Sequence, residues 1–330
     1  MYQQFSKETR IELAGFRRTG DSATECAKKL GVNYSTVWRE LKRYSCPDGV
    51  YRGAKAHCRY LDSRKESKAA SSIIQNDTRL KKHIIYRLCI SRWSPEQIAG
   101  RIKHDEKYQY VSSVTIYVWI EENTKYKRYL KVLGTKGKYR RRKGTKARSA
   151  VREEAKVTRI DQRPAIINNK ERLGDLEGDT IIGKDKTKRL LTHTERVSGY
   201  GWLEKLNEVS APLVQTAITK LFINLPKSKR HSCTYDNGTE FGKEDAYLEK
   251  QTGVKIYRAW PYHSWERGCS ENYNRLVREF FPKGTDFATI NTMAVAKVEK
   301  LLNHRPRKRL NYLTPYEVFV LGMGPYAVQG

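Results

Sequence analysis

The sequence predicts a multidomain α + α/β protein, with helical units in the N-terminal half and a mixed five-stranded sheet with flanking helices in the C-terminal half. Three observations carry this. Up to about residue 120, apolar residues recur at helical spacing behind polar caps. From about residue 170 they form strand-like runs broken by Asx, Gly and Ser turn residues. Between the two lies Lys136–Arg148, with eight basic residues, two glycines and no acid. The expected organisation is a helix-turn-helix domain over 1–48, a second helical unit over 49–135, a basic linker over 136–168 and an α/β domain over 169–330.

The first unit reads as three short helices. Ser6 to Arg18 carries Ile11, Leu13, Ala14 and Phe16, and Gly20 closes it. Ser22 and Glu25 form a capping box for the next helix, whose apolar face is Cys26, Ala27 and Leu30. After the Gly31-Val32-Asn33 turn, Val37 and Leu41 stand four apart toward the core. Ser35, Thr36, Arg39, Lys42 and Arg43 are left outside, as on a helix that reads a DNA groove. An ordinary helical hairpin is the plainer alternative.

Arg52 to Lys68 is basic and low in large apolar residues, which suits a linker or an exposed helix. In the second unit, Ser94-Pro95-Glu96-Gln97 is a helix start with Ser as cap and Pro at the first position. Ile98, Ala99 and Ile102 form its apolar face. Val111–Ile120 suits another recognition-type helix, although its apolar content would also suit a strand. This unit either reads bases or joins subunits. The linker, with Arg140, Arg141 and Arg142, has a phosphate backbone as its natural partner.

In the C-terminal half, strands are expected at Leu173–Gly183, Lys188–Glu195 and Tyr200–Leu206. A helix follows over Ala211–Leu225, then a strand ending at Asp236, a helix over Glu244–Thr252 and a strand over Val254–Arg258. A last helix begins near Cys269. This order is that of a ribonuclease-H-like layer, although fold alone does not fix function.

Charge narrows the partner. The formal net charge is +29. Residues 1–160 hold 38 Lys+Arg against 16 Asp+Glu, and residues 161–330 hold 27 against 20, giving +22 and +7. A polyanion should therefore dock mainly on the N-terminal half. No apolar run reaches 18 residues and no signal-peptide core is present, which excludes a membrane helix and a secreted protein and suggests a cytoplasmic one. The six cysteines contain no C-x-x-C pair, and His57-Cys58 is the one adjacent pair of soft ligands, so a zinc module is set aside.

Three acids suggest the chemistry. Asp236 precedes Asn237-Gly238, a turn pair that tolerates positive φ. Asp179 lies in the first strand, and Glu271 starts the last helix, with 34 residues between it and Asp236. Converging at the end of a sheet, they would hold two Mg²⁺ ions, hard cations that take oxygen ligands. Such pairs serve phosphodiester displacement. Arg278, seven residues after Glu271, falls on the same helix face, where it can hold a DNA phosphate.

The D…D-x34-E pattern with Arg278 resembles the DDE transposases and retroviral-type integrases. More closely, the chain resembles transposases of the bacterial insertion-sequence family thirty. The resemblance rests on Trp93–Arg101, Leu176-Glu177-Gly178-Asp179, Tyr235–Phe241, Trp265–Asn272, Phe281–Phe287, Asn303–Lys308 and Thr314–Glu317, and it spans nearly the whole chain. It departs from the family pattern at Asp175-Leu176, Cys269-Ser270 and Tyr273. The resemblance implies a transposase that binds the terminal inverted repeats of its own element through the N-terminal helices. It implies cleavage to a 3′-OH and transfer of that end to target DNA, with Asp179, Asp236 and Glu271 on Mg²⁺ and with Mn²⁺ able to substitute. It also implies a homo-oligomer, at least a dimer, acting at the bacterial nucleoid. The rival readings are a catalytically inert DNA-binding regulator, a metal-dependent nuclease without strand joining, and a recombinase with a covalent nucleophile.

Overall fold

Side-chain caps set the first helices where the sequence places them. In the computed structural model, which describes residues 4–70, 73–132, 157–242, 244–261 and 263–324, the chain divides into two compact units, Met1–Thr78 and Arg79–Gly330.

The first unit holds α1 (Lys7–Arg18), α2 (Ala23–Lys29), α3 (Tyr34–Tyr44), α4 (Gly53–Ala70) and α5 (Ile73–Asn76). Ser6 caps α1, the Ser22/Glu25 box caps α2, and Asn33 caps α3. Leu13, Cys26, Val37, Tyr51 and Ala56 form one buried cluster, with Leu41 packed against it. Ala56 brings α4 into this core, so the stretch read as a linker or exposed helix is a structural helix. A buried ion pair crosses the unit: Arg10 Nε donates to Glu40 Oε1 at 2.6 Å, and Tyr51 Oη donates to the same oxygen at 3.0 Å.

The second unit continues with α6 (Thr78–Cys89), α7 (Pro95–Ile102), α8 (Ser113–Glu122), α9 (Lys127–Val132) and α10 (Ala165–Asn168). The Ser94/Gln97 capping box opens α7, and the apolar run Val111–Ile120 is helical rather than extended. Ser112 decides this by capping α8 through the Thr115 N–H. Arg101 on α7 pairs with Glu317, donating from Nη1 to Oε2 at 3.1 Å.

The sheet follows: β1 (Asp175–Ile182), β2 (Arg189–Glu195), β3 (Gly201–Leu206), α11 (Ala211–Ile223), β4 (Ser232–Tyr235), α12 (Asp245–Thr252), β5 (Lys255–Arg258), α13 (Gly268–Val277), α14 (Thr292–Asn303) and α15 (Pro315–Phe319). The strand order is β3-β2-β1-β4-β5. β1, β2 and β3 are antiparallel, whereas β4 and β5 run parallel to β1. This is the ribonuclease-H-like mixed sheet. One apolar cluster joins α11 to the sheet through Leu191, Val214, Ile218, Phe222 and Cys233. Another joins α13 and α14 to it through Ile181, Leu190, Tyr273, Val277 and Val298. Helix α14, which the sequence reading does not include, is fixed by Asn303, whose side chain exchanges two hydrogen bonds with the Gly201 backbone. The stretch 136–148, with Arg140, Arg141 and Arg142, lies outside the described residues.

Candidate active site

The parallel pairing of β1 and β4 brings two of the expected acids together. Asp175 stands beside Ser232 and Glu177 beside Thr234. Continued by two residues, the same register sets Asp179 beside Asp236, which directly follows β4. Strand alternation puts Glu177 and Asp179 on one face of β1 and Gly178 on the other. A Cβ at Gly178 would lie 2.2 Å from a ring carbon of Tyr235 and 3.1 Å from His193 Nε2. Only glycine fits there, because Tyr235 and His193 are both buried and hydrogen-bonded to each other at 2.8 Å.

The Asp-Asn-Gly turn is built differently from the sequence expectation. Gly238 has φ −59°, so the turn does not use the left-handed region there. Instead, Asp236 Oδ1 accepts the Gly238 N–H at 2.9 Å. Asn237 Nδ2 donates to Ala259 O at 2.7 Å, and Arg258 Nη1 donates to Asp236 O at 2.9 Å. Arg258 is itself buried in an ion pair with Asp245.

Asp179 and Asp236 meet at one guanidinium. Arg267 Nη2 donates to Asp236 Oδ2 at 3.0 Å, and Nη1 lies 3.5 Å from Asp179 Oδ1 while donating to Gly178 O at 3.1 Å. Asp179 Oδ2 accepts from Asn274 Nδ2 at 2.8 Å, and Oδ1 accepts from the Thr180 N–H at 2.8 Å. Burial raises Asp179 above its usual carboxylate range and the Asp236 charge adds to this, while Arg267 and the Thr180 N–H oppose it.

A buried carboxylate positions the helix that carries the third acid. Glu177 Oε2 accepts the backbone N–H of both Cys269 and Ser270 at 2.9 Å. Its Oε1 accepts from Arg196 Nε at 3.0 Å. An acid at a helix N-terminus satisfies orphan donors and complements the dipole. Glu271 follows in the first turn of α13, exposed, one turn before Asn274. Thus the structure brings Asp179 and Asp236 together and leaves Glu271 apart. Among the described residues, no group of three or more His, Cys, Asp or Glu side chains is placed to hold one metal ion. The Asp179–Asp236 pair still fits a hard divalent cation by its donor chemistry, and Arg267 is the cation that the two oxygens already share.

The family departures have local partners. Asp175 is held by Arg172 and by Ser232, whose hydroxyl donates to it at 2.6 Å. Leu176 is in the core. Cys269 and Ser270 bind Glu177 through backbone alone. Tyr273 is buried against Gly201, where a Cβ would lie 2.1 Å from its ring.

On α3, Arg39, Lys42 and Arg43 are exposed and Ser35 and Thr36 half-buried. Arg39 donates to the Ser35 carbonyl and hydroxyl at 2.9 and 3.0 Å. The Lys42 ammonium sits 4.7 Å from the centre of the exposed Trp38 ring. Arg278 donates from Nη2 to Ile182 O at 2.7 Å, and partial burial lowers its pKa.

The sequence reading missed Arg267, Asn274 and Glu177 as site residues. Signals existed for two of them. Glu177 is one strand alternation before Asp179, and Asn274 is one helical turn after Glu271. Arg267 had no such marker.

Residues 6–52 match the Homeodomain-like domain family. The chain is 38% identical to the transposase for insertion sequence element IS4351 of Bacteroides fragilis, covering 97% of this chain and 96% of that protein. It is 31% identical to the transposase InsI for IS30A of Escherichia coli K12, covering 90% and 78%. Among solved structures, the catalytic core domain of BIV integrase aligns with 45% of this chain and 95% of its own, at 20% identity and a TM-score of 0.37. No helix among the described residues is long and apolar enough to cross a membrane. With 38% identity over nearly its full length, and with that of its relative, the chain belongs to the family of insertion-sequence transposases that includes the IS4351 and IS30A proteins.

Proposed function

We propose that the protein binds the terminal inverted repeats of its own element, cleaves DNA to free a 3′-OH, and joins that end to target DNA. The meeting of Asp179 and Asp236 at Arg267, on neighbouring parallel strands, carries this reading. In it, Asp179, Asp236 and Glu271 are the acids that hold two divalent ions, Mg²⁺ with Mn²⁺ as substitute. Bound there, the ions supply activated water and neutralise charge on the attacking and leaving oxygens.

The chain's own residues do the rest by position. Asn274 and the Thr180 N–H fix both oxygens of Asp179. The Asp236 turn is locked by Asn237 and Arg258. Glu177 sets the height of α13, and so of Glu271, along β1. Arg267 holds the two strand carboxylates together as a fixed positive charge. Ser35, Thr36, Arg39, Lys42 and Arg43 take the recognition role in the first domain, 1–48. Arg140, Arg141 and Arg142 in the linker, and Arg278 at the end of α13, take phosphates. The helices between residue 79 and the linker supply further DNA contacts or join subunits, and 169–330 is the catalytic domain. At least a dimer is required, because two ends must be handled together, and the work is done at the bacterial nucleoid.

The test is strand transfer of end-containing DNA with Mg²⁺ or Mn²⁺. Joined products from the wild type, lost in Asp236→Asn with end binding retained, support the reading. Cleavage without joining would make the protein a nuclease, and binding without either would make it a regulator.

A further inference from the structure

A cavity of about 460 Å³ lies beside Glu177. Glu177 precedes Asp179 by two residues, about 6–7 Å along β1, and the cavity lies at the N-terminal end of α13, with neither Asp179 nor Asp236 in its lining. Lys170, Arg307 and Arg309 line it; Arg307 Nη2 donates to Leu302 O at 3.2 Å and Arg309 Nη1 to Val197 O, and neither guanidinium pairs with a described carboxylate. Glu177 is paired with Arg196, and Glu266, which accepts the Trp260 N–H at 2.9 Å, leaves one negative charge against these three cations. The lining is therefore left with an uncompensated positive charge. Burial, with the charges of Arg305 and Arg309 adding, pushes Arg307 down to about 10. Lys170 also holds φ +59°, a left-handed conformation that a lysine rarely adopts.

Trp265 completes the lining. It is 69% exposed, with one ring face stacked on His263 at 4.5 Å and the other open. Cations and an exposed aromatic plane together match a phosphate attached to a base.

We infer that this cavity takes one nucleotide of an unpaired DNA strand, with its phosphate on Lys170, Arg307 and Arg309 and its base on Trp265. The inference rests on the reading of the protein as a DNA strand-transfer enzyme. It supplies a place at the N-terminal end of α13 for strand that has left the duplex.

Tryptophan indole N–H resonances of the full-length protein test it, with Trp265→Ala assigning the signal. Thymidine 5′-monophosphate is expected to shift the Trp265 resonance, and unphosphorylated thymidine is expected to do so far more weakly. Lys170→Gln should weaken the monophosphate by about tenfold, the loss of one charge-assisted hydrogen bond. The inference is overturned if the Trp265 signal ignores the monophosphate, if Lys170→Gln binds it unchanged, or if inorganic phosphate alone reproduces the shift. The readout needs no catalysis, so its failure leaves the strand-transfer reading standing. Conversely, loss of that reading in the joining assay leaves the nucleotide titration interpretable.

Discussion

Arg267 donates to Asp236 Oδ2 at 3.0 Å from a side chain that is only 10% exposed. A fixed cation thus stands between carboxylates that would otherwise repel. Replacing it should expose that repulsion. Arg267→Met is expected to destabilise the metal-free protein by about 2–4 kcal/mol, less than a fully buried pair because the Asp236 carboxylate reaches solvent. Mg²⁺ should then raise the melting temperature of the variant more than that of the wild type. Equal shifts in thermal unfolding with EDTA and with Mg²⁺ would sink the idea.

Asn274 acts on Asp179 from one helical turn beyond Glu271. Asn274→Ala removes one of the two hydrogen bonds that orient the carboxylate. Strand-transfer rate should fall by about 10–100-fold, the usual cost of losing a partner that orients a metal-binding side chain. Asn274→Asp, which adds a third negative charge, should be no better. Kinetics on end-containing DNA check both variants, and full activity in Asn274→Ala would remove its positioning role.

Gly201 and Tyr273 fit each other by shape. Gly201→Ala forces a Cβ into the buried tyrosine ring and should cost about 1–3 kcal/mol, as overpacking does. Tyr273→Ser in the same chain opens that space, so the double variant should lose much less than the two single losses added. A double-mutant cycle in urea decides this, and strict additivity would show that the contact is not the cause.

His193 predicts a pH dependence. Burial pushes its pKa down to about 3, so it stays neutral in the folded protein. In the unfolded chain it titrates near 6.5. Below that value the unfolded state binds the extra proton, so stability falls as pH drops from about 6.5 toward about 3, by up to about 1.4 kcal/mol per pH unit. His193→Phe should show a shallower acid slope than the wild type over this window. Urea midpoints at several pH values give the comparison, and parallel slopes would contradict it.

The sheet was legible because its strands are apolar runs broken by Asx, Gly and Ser turns, and two of the helices because Ser22 and Ser94 announce them. The positions of Asp179 and Asp236 also pointed to one end of the sheet, where they meet, whereas Glu271 stands apart from them. Less visible was what lies between them. Arg267 lies in the Trp265–Asn272 motif, but nothing local tells that its guanidinium crosses to two strands. The turn at Asp236 misled in detail for a related reason. Its Asn-Gly pair suggested left-handed backbone, whereas long-range bonds from Arg258 and to Ala259 hold it in an ordinary conformation. Helix α14 was overlooked because its anchor, Asn303 on Gly201, joins residues far apart in the chain.

The shared register of β1 and β4 also limits how such a chain can change its length. The loops between β1 and β4 pass around the outside of the sheet, where added residues cost little closure entropy. Within Asp175–Asp179 or Ser232–Asp236, one inserted or deleted residue would turn an acid to the opposite face of the sheet. Natural length variation should therefore gather in the turns at 183–188 and 207–210 and leave these two five-residue runs untouched.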